Sequence, residues 1–288
     1  MPPCARCGQG RGTLTKHETE TEIREERDMF SMKKLIAILL LVLLCLPTGL
    51  AESALTPGRA MMDFSAPTTD GEEIALSELL GEKELVVLNI FATWCPPCER
   101  EFPMIDEIYQ KYSDRMEIVA LSGYEGDSMD AIADYKAGHG LSFPMGSATG
   151  TGLMDFLQVE AYPTTVFIDR GGNMNCAVVG SFPFPEAFES VVTYFLKEDY
   201  DGAPAALYGV YAFDQNDELV PGVAVNFCTD TVCQPAVTNE NGVICFTGPL
   251  DNYHLQVLQV PEGYTFDESF DAYVSEESGW VGIPVTRN

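Results

Sequence analysis

The sequence predicts an α/β domain followed by a small all-β sandwich domain, and three observations carry that prediction. From Met61 to about Tyr200, strand-like and helix-like hydrophobic patterns alternate, as in an α/β arrangement. Beyond a break at Asp199 to Ala206, which holds Gly202 and Pro204, helical patterns disappear and short alternating segments are separated by turn clusters. The 288 residues are 46% hydrophobic and 10% aromatic, enough for two cores and too apolar for wholesale disorder. Charge narrows the function classes. With 16 basic against 44 acidic side chains the net charge is −28 at pH 7, so no nucleic-acid partner is expected and anionic membrane surfaces are disfavoured.

In chain order, the first readable element is an export signal. Met32-Lys33-Lys34 precedes an unbroken apolar run from Leu35 to Leu46, and small residues follow at Gly49 and Ala51. Residues 32–51 therefore read as a signal peptide cleaved after Ala51. The run is shorter than the roughly 20 residues a membrane helix needs, and a retained membrane anchor is the competing reading. Leu44 before Cys45 argues against lipidation. Residues 1–31 read as a non-structured or mis-assigned leader, with translation starting at Met29 or Met32. Cys4 and Cys7 would make only half a zinc site. Removing residues 1–51 leaves six cysteines, at 95, 98, 176, 228, 233 and 245, in a compartment where disulfides form.

Residues 52–59 read as a linker and 60–200 as the α/β domain. Glu84 to Ala92 reads as a buried strand. A helix follows with Phe102, Ile105, Ile108 and Tyr112 on its apolar face, and Glu99, Arg100, Asp106 and Lys111 off it. Glu117 to Ser122 reads as the next strand. Asp127 or Ser128 caps a helix that Gly138 ends, with Met129, Ile132 and Tyr135 facing the core and His139 in a loop beyond. Thr165 to Asp169 and Asn175 to Gly180 read as strands joined by a turn at Arg170-Gly171-Gly172-Asn173. The last helix repeats apolar pairs at Phe188, Val191/Val192 and Phe195/Leu196.

The chemistry concentrates at Trp94-Cys95-Pro96-Pro97-Cys98, where a buried strand turns into a helix. Cys95 falls at the helix N-terminus, where unpaired N–H groups and the macrodipole favour a thiolate. Two intervening residues bring Cys98 within reach but leave it more buried, and Pro96 and Pro97 stiffen the link. Such a pair shuttles between dithiol and disulfide without a cofactor. A static disulfide and a metal half-site are the alternatives. With only His17, His139 and His254 in the chain, no histidine metal cluster is expected.

The segment Asn89 to Pro103 resembles the active-site region of the TlpA/ResA-like extracytoplasmic thiol–disulfide oxidoreductases, within the thioredoxin superfamily. Tyr162-Pro163-Thr164-Thr165 resembles their cis-proline loop, and Asp63 to Pro67 with Leu76 to Leu79 resembles their N-terminal extension. The resemblance spans roughly 60–198. It implies a thioredoxin-like fold, a central mixed sheet flanked by helices. It also implies Cys95 as nucleophile, Cys98 as resolving cysteine, and Glu101 as proton acceptor from Cys98; the competing reading of Glu101 is a solvated first-turn carboxylate. Trp94 packs over the cysteines. Trp94, Pro96, Pro97, Tyr162 and Pro163 form the substrate face, with Tyr162–Pro163 cis. Asn89 stands where thioredoxin has a buried aspartate. The implied partners are extracytoplasmic protein thiols or disulfides and a membrane electron donor or acceptor, with reduction the favoured direction.

Residues 205–288 resemble Cna-B/SpaA-like and prealbumin-like sandwich modules through Val220 to Val225, Thr238 to Gly248 and Val260 to Tyr264. The Lys–Asn crosslink of such modules is excluded, because this region has no lysine. Cys228 and Cys233, at the facing ends of two strands, are expected to form a structural disulfide, with a CxxxxC redox centre as the alternative. Asp214 to Glu218 reads as a hairpin turn rather than a calcium site. Cys176 reads as a buried spare thiol. Two other functions compete: a surface binding or adhesion protein working through its sandwich, and a peroxiredoxin-like peroxidase. The CxxC pair argues against the second.

Overall fold

The computed structural model describes residues 55–275 and 279–288. The expected leader, signal peptide and cysteines 4, 7 and 45 lie outside the described residues. Among those described, no helix is long and apolar enough to cross a membrane.

The uninterrupted run Leu85–Phe91 is buried at every position, as a strand covered on both faces must be. It forms β4 of a six-stranded mixed sheet. In chain order the strands of this region are β1 (Arg59–Ala60), β2 (Ser65–Pro67), β3 (Glu73–Ala75), β4, β5 (Met116–Ser122), β6 (Met145–Ser147), β7 (Thr164–Asp169) and β8 (Asn173–Val179). The sheet order is β1-β8-β7-β4-β5-β6; β5 and β6 run parallel to β4, while β7 runs antiparallel to it. Arg59, expected in a linker, already pairs with Met174.

The period of two along β4 divides the core. Leu85, Val87 and Phe91 join one cluster with Phe102, Ile105 and Ile108; Val86, Leu88 and Ile90 face the other with Phe64, Leu76 and Leu153. The helices are α1 (Leu76–Glu82), α2 (Pro96–Tyr112), α3 (Met129–His139), α4 (Leu153–Leu157) and α5 (Pro185–Phe195).

Two expectations about these helices need correction. The C-cap of α3 is Gly140, at φ 65°, so Gly138 stays within the helix and His139 is helical, stacked on Tyr135. A left-handed cap costs glycine nothing, and the second of two nearby glycines takes it. Ser128, not Asp127, caps the start, its Oγ accepting from the Ala131 N–H at 3.1 Å. On α2, Asp106 is buried rather than facing solvent, because its Oδ1 accepts from both the N–H and the Oγ of Ser142.

From Ala205 onward every regular element is a strand: β9 (Ala205–Phe213), β10 (Ala224–Cys228), β11 (Cys233–Val237), β12 (Val243–Pro249), β13 (Tyr253–Gln259), β14 (Tyr264–Phe266), β15 (Ala272–Val274) and β16 (Trp280–Arg287). They make two four-stranded sheets, β11-β10-β13-β15 and β12-β9-β16-β14, which share a core of Tyr208, Val210, Phe227, Ile244, Leu255 and Ile283 among others. At the Asp214 turn, Asp214 Oδ1 accepts from the N–H groups of Asn216 and Glu218, and Arg287 lies 3.2 Å from Oδ2. This part is not independent of the first. Ala205 and Val243 join the core cluster of α2 and α5, and Ser190 of α5 shares a 2.7 Å hydrogen bond with Thr247 of β12.

Gly146 is fixed by crowding. A Cβ there would lie 2.1 Å from the Pro67 carbonyl oxygen, where the β2–β3 hairpin crosses β6. Gly146→Ala is expected to destabilise the protein by about 1–3 kcal/mol, the usual range for overpacking, read as a lower urea midpoint at unchanged slope.

Candidate active site

β4 ends at Phe91, and the chain turns through Ala92-Thr93-Trp94 into α2. The turn is tied down by one carboxylate: Asp127 accepts from the Thr93 N–H (2.9 Å), the Thr93 Oγ1 (2.6 Å) and the Ser122 Oγ (2.6 Å). Cys95 is the N-cap of α2, and Pro96 and Pro97 fill its first positions, where no intrahelical donor is lost. Cys95 and Cys98 are joined by a disulfide, and the Cys98 N–H points at Cys95 Sγ at 3.2 Å. A sulfur held against helix N-terminal amides is stabilised as a thiolate once the bond opens. The expected contrast in burial is slight in this disulfide form: Cys95 is 3% exposed and Cys98 0%.

One turn further, Glu101 is fully buried, so the solvated reading of this residue is replaced. Glu101 Oε1 accepts from Asn89 Nδ2 at 2.9 Å, and Oε2 accepts from the Phe182 N–H at 3.1 Å. Asn89 Nδ2 also donates to Thr165 Oγ1 at 2.9 Å, which links the carboxyl to the strand after Pro163. Burial pushes the Glu101 carboxyl up to about 7, against the opposing pull of the Phe182 and Asn89 donors. Asn89 Oδ1 is buried and unpaired. An amide here suits both protonation states of Glu101: as drawn, its NH₂ meets the carboxylate, and a flipped amide would offer an acceptor to the carboxylic acid.

The rim of the site is aromatic. Trp94, expected to pack over the cysteines, is 59% exposed. Its ring meets Tyr124 edge-on at 5.7 Å and Tyr162 at 6.0 Å, which holds a large apolar surface in solvent. The Tyr162–Pro163 bond is cis. Trp94 and Tyr162 thus share one rim beside the disulfide, with Pro163 next in the chain. Tyr124 and Phe182 were not among the expected site residues. Tyr124 follows the C-terminal end of a parallel strand, where loops carry functional groups, and that was the available signal. Phe182 contributes only a backbone N–H, which no sequence pattern announces.

The other cysteines differ. Cys228 and Cys233 are joined by a disulfide across β10 and β11. Cys176 and Cys245 are free, and burial pushes both thiols up to about 12. Among the described residues, no cluster of His, Cys, Asp and Glu is arranged to hold a metal.

Parts of the chain match known proteins. A family model described as AhpC/TSA family matches residues 57–176. The chain is 30% identical over 161 residues to the thiol-disulfide oxidoreductase ResA of Bacillus cereus, which takes in 52% of this chain and 91% of the relative. It is also 30% identical over 159 residues to the thioredoxin-like protein YneN of Bacillus subtilis, covering 52% of this chain and 92% of that one. A crystal structure of a thiol:disulfide interchange protein of the thioredoxin family from Chlorobium tepidum superposes with a TM-score of 0.43 at 24% identity, over 49% of this chain and 99% of that one.

The Glu101 environment has a stability signature. Its carboxyl rises from 4.5 to about 7 on folding, so the folded state holds the proton more tightly. The stability it contributes is intact below about 4.5 and is lost as the pH rises through about 7, by about 3 kcal/mol in all. Denaturant midpoints at pH 4 and pH 8 are expected to show this loss in the wild type and to show it largely removed in Glu101→Gln. An equal pH dependence in both would remove Glu101 as its source.

Proposed function

We propose that this chain, which belongs to the thioredoxin-like thiol–disulfide oxidoreductases of the ResA group, is exported and reduces extracytoplasmic protein disulfides. The enzymatic class is that of its relatives; the direction, the compartment and the residue roles are our reading. The observation that carries the roles is the Cys95–Cys98 disulfide at the N-terminus of α2 with the buried, protonatable Glu101 one turn behind it.

In this mechanism the Cys95 thiolate, stabilised by the helix N-terminus, attacks one sulfur of a substrate disulfide; that S–S bond breaks, the substrate's other sulfur leaves as a thiolate that takes a proton from solvent, and Cys95 is held in a mixed disulfide. The Cys98 thiol then gives its proton to the Glu101 carboxylate, and its thiolate attacks Cys95 Sγ. The substrate leaves as a thiolate and is protonated, and Cys95 and Cys98 close to a disulfide. Trp94, Pro96, Pro97, Tyr162 and Pro163 form the substrate face, with Tyr124 extending it. The exposed Trp94 ring supplies apolar contact, and the backbone next to Pro163 pairs with the extended substrate segment. A membrane electron donor resets the pair. Residues 32–51 serve as the export signal or anchor. Residues 60–200 form the catalytic domain, and 205–288 form a sandwich module of the Cna-B or prealbumin kind that spaces or docks it.

The reduction potential of the Cys95–Cys98 couple decides the direction. A value near about −270 mV supports a reductant, and one near about −120 mV would make the protein an oxidant. Cys95→Ser is expected to abolish exchange, and Cys98→Ser to accumulate mixed disulfides that a gel without reductant resolves. Glu101→Gln is expected to slow turnover about 100-fold at pH 8 and to flatten the rise in rate that the wild type shows through about pH 7. An unchanged pH profile in the variant would exclude Glu101 as proton acceptor.

A further inference from the structure

The loop between β5 and α3 carries a carboxylate that its own helix does not use. Ser128 caps α3, and Asp127 turns instead to a second loop, 34 positions earlier in the chain. There its Oδ2 accepts from the Thr93 N–H and its Oδ1 from the Thr93 Oγ1, directly before Trp94 and Cys95. Oδ2 also accepts from Ser122 Oγ, and that oxygen accepts in turn from the Tyr124 N–H at 3.3 Å. A continuous line of hydrogen bonds thus joins the backbone of Tyr124 to the backbone of Thr93. The Asp127 N–H closes the turn by donating to the Tyr124 carbonyl at 3.0 Å. The Tyr124 ring lies over Gly126, where a Cβ would sit 2.7 Å from Tyr124 Cζ. Asp127 also faces the third ring of the rim: burial, and after it the Asp127 charge, push the Tyr162 phenol up.

The two residues that carry the exposed rings need such a tie. Trp94 is 59% and Tyr124 45% exposed, and an unheld loop would sample many ring positions. A carboxylate that accepts from three donors is a stiff joint, because charge-assisted hydrogen bonds are short and strong. Its oxygens meet donors of the protein itself, which leaves aromatic surface as the main recognition element of the rim. Trp94 is the bonded neighbour of Cys95, so a substrate sulfur joined to Cys95 brings the residues beside its own cysteine onto these rings. Residues of an extended segment advance about 3.3 Å each. The next side chain of the substrate therefore falls within the span of Trp94 and Tyr124, whose ring centroids are 5.7 Å apart.

We propose that Asp127 is a positioning residue that fixes Trp94 and Tyr124 as one recognition surface, with Tyr124 as a specificity-determining residue, and that this surface selects protein disulfides carrying a large apolar side chain next to the cysteine. The proposal rests on the reading that Cys95 exchanges with protein disulfides. The clamp decides which disulfide is presented to Cys95, and the sulfur chemistry is the same for all of them. Glu125 is exposed beside Tyr124, so a basic side chain next to the substrate cysteine is the competing preference.

The test uses the full chain with Cys95 and Cys98 reduced, and three disulfide-linked peptide dimers that are identical except for leucine, serine or lysine next to the cysteine. Oxidation is stopped by alkylation, and the fragment holding Cys95 and Cys98 is read by mass spectrometry. The readout is the leucine-to-serine ratio of rate constants, in which any general change in Cys95 reactivity cancels. That ratio is expected to be about tenfold or more in the wild type and to fall below about threefold in Asp127→Ala. Gly126→Ala, which pushes the Tyr124 ring off its seat, is expected to lower it in the same way. Asp127→Asn is expected to keep most of it, because the amide oxygen can accept from the Thr93 N–H and Ser122 while the NH₂ donates to Thr93 Oγ1. Equal rates with all three peptides, or a preference for lysine, would overturn the proposal while leaving exchange at Cys95 intact. A full leucine preference in Asp127→Ala would remove the role of Asp127, and one in Gly126→Ala that of Tyr124. A wild type that exchanges with none of the peptides would overturn the underlying reading and this proposal with it. If Asp127→Ala does not fold, Ser122→Ala, which breaks the same line of hydrogen bonds, takes its place.

Discussion

Burying a carboxyl group beneath a disulfide costs several kcal/mol unless its oxygens find donors, and the donors of Glu101 come from separate parts of the chain. The Asn89 amide arrives on the central strand, and the Phe182 N–H arrives in the loop between β8 and α5. The carboxyl itself rides on the helix that carries both cysteines. These hydrogen bonds require β4, α2 and the chain after β8 to be in register at once, and the Asn89–Thr165 bond adds β7. Two neutral donors against full burial leave the group near the balance point between its charged and neutral forms. A buried aspartate at position 89 would have set two carboxyls against each other and raised one of them much further. With an amide in that place, Glu101 meets a neutral donor instead of a second carboxyl.

The rim follows a different logic. Trp94 and Tyr124 are exposed although both are large and aromatic; the edge-on contacts of Trp94 with Tyr124 and with Tyr162 hold the rim in place without a core around it. Asp127 fixes the backbone under Trp94 through Thr93, so the rim is anchored to β5 through Ser122 as well as to the helix. The chain is strongly acidic as a whole, yet this surface is apolar. In the proposed mechanism, contact with a substrate there depends on shape and hydrophobic area, which salt does not screen, rather than on the net charge.

What could be read from the sequence follows the distance over which each signal acts. The Cys95–Cys98 pair and the Cys228–Cys233 pair are local in sequence, and strand-to-helix and strand-to-strand geometry is enough to suggest each bond. The apolar runs of β4, β5 and β7 identify themselves because they are buried on both faces. The misreadings are long-range. Asp106 looks like a surface residue until Ser142 folds onto it, and the choice between a buried and a solvated Glu101 stays open until Phe182 closes over it. Two glycines near the end of α3 are equivalent in composition, and only the chain path selects Gly140 as the cap. The last strands carry little periodic signal, for simpler reasons. β14 and β15 are three residues each, too short for alternation to show, and β16 contains Gly282 and Pro284.

The strand β4 shows how narrowly the site is specified. Its side chains alternate strictly between two cores: Val87 and Phe91 toward α2, and Leu88 and Ile90 toward the opposite cluster. Asn89 belongs to the first set by parity, and its register partner Thr165 accompanies it on the same face. A one-residue slip of β4 would exchange every apolar neighbour for another of similar size, at modest cost to packing. It would, however, turn Asn89 away from Glu101 into an apolar cluster, leaving both the amide and the carboxyl short of partners. Burial alone tolerates either register of so uniform a strand. The polar pair beneath the disulfide makes only one of them acceptable, so the group proposed to move the proton also helps hold the sheet in place.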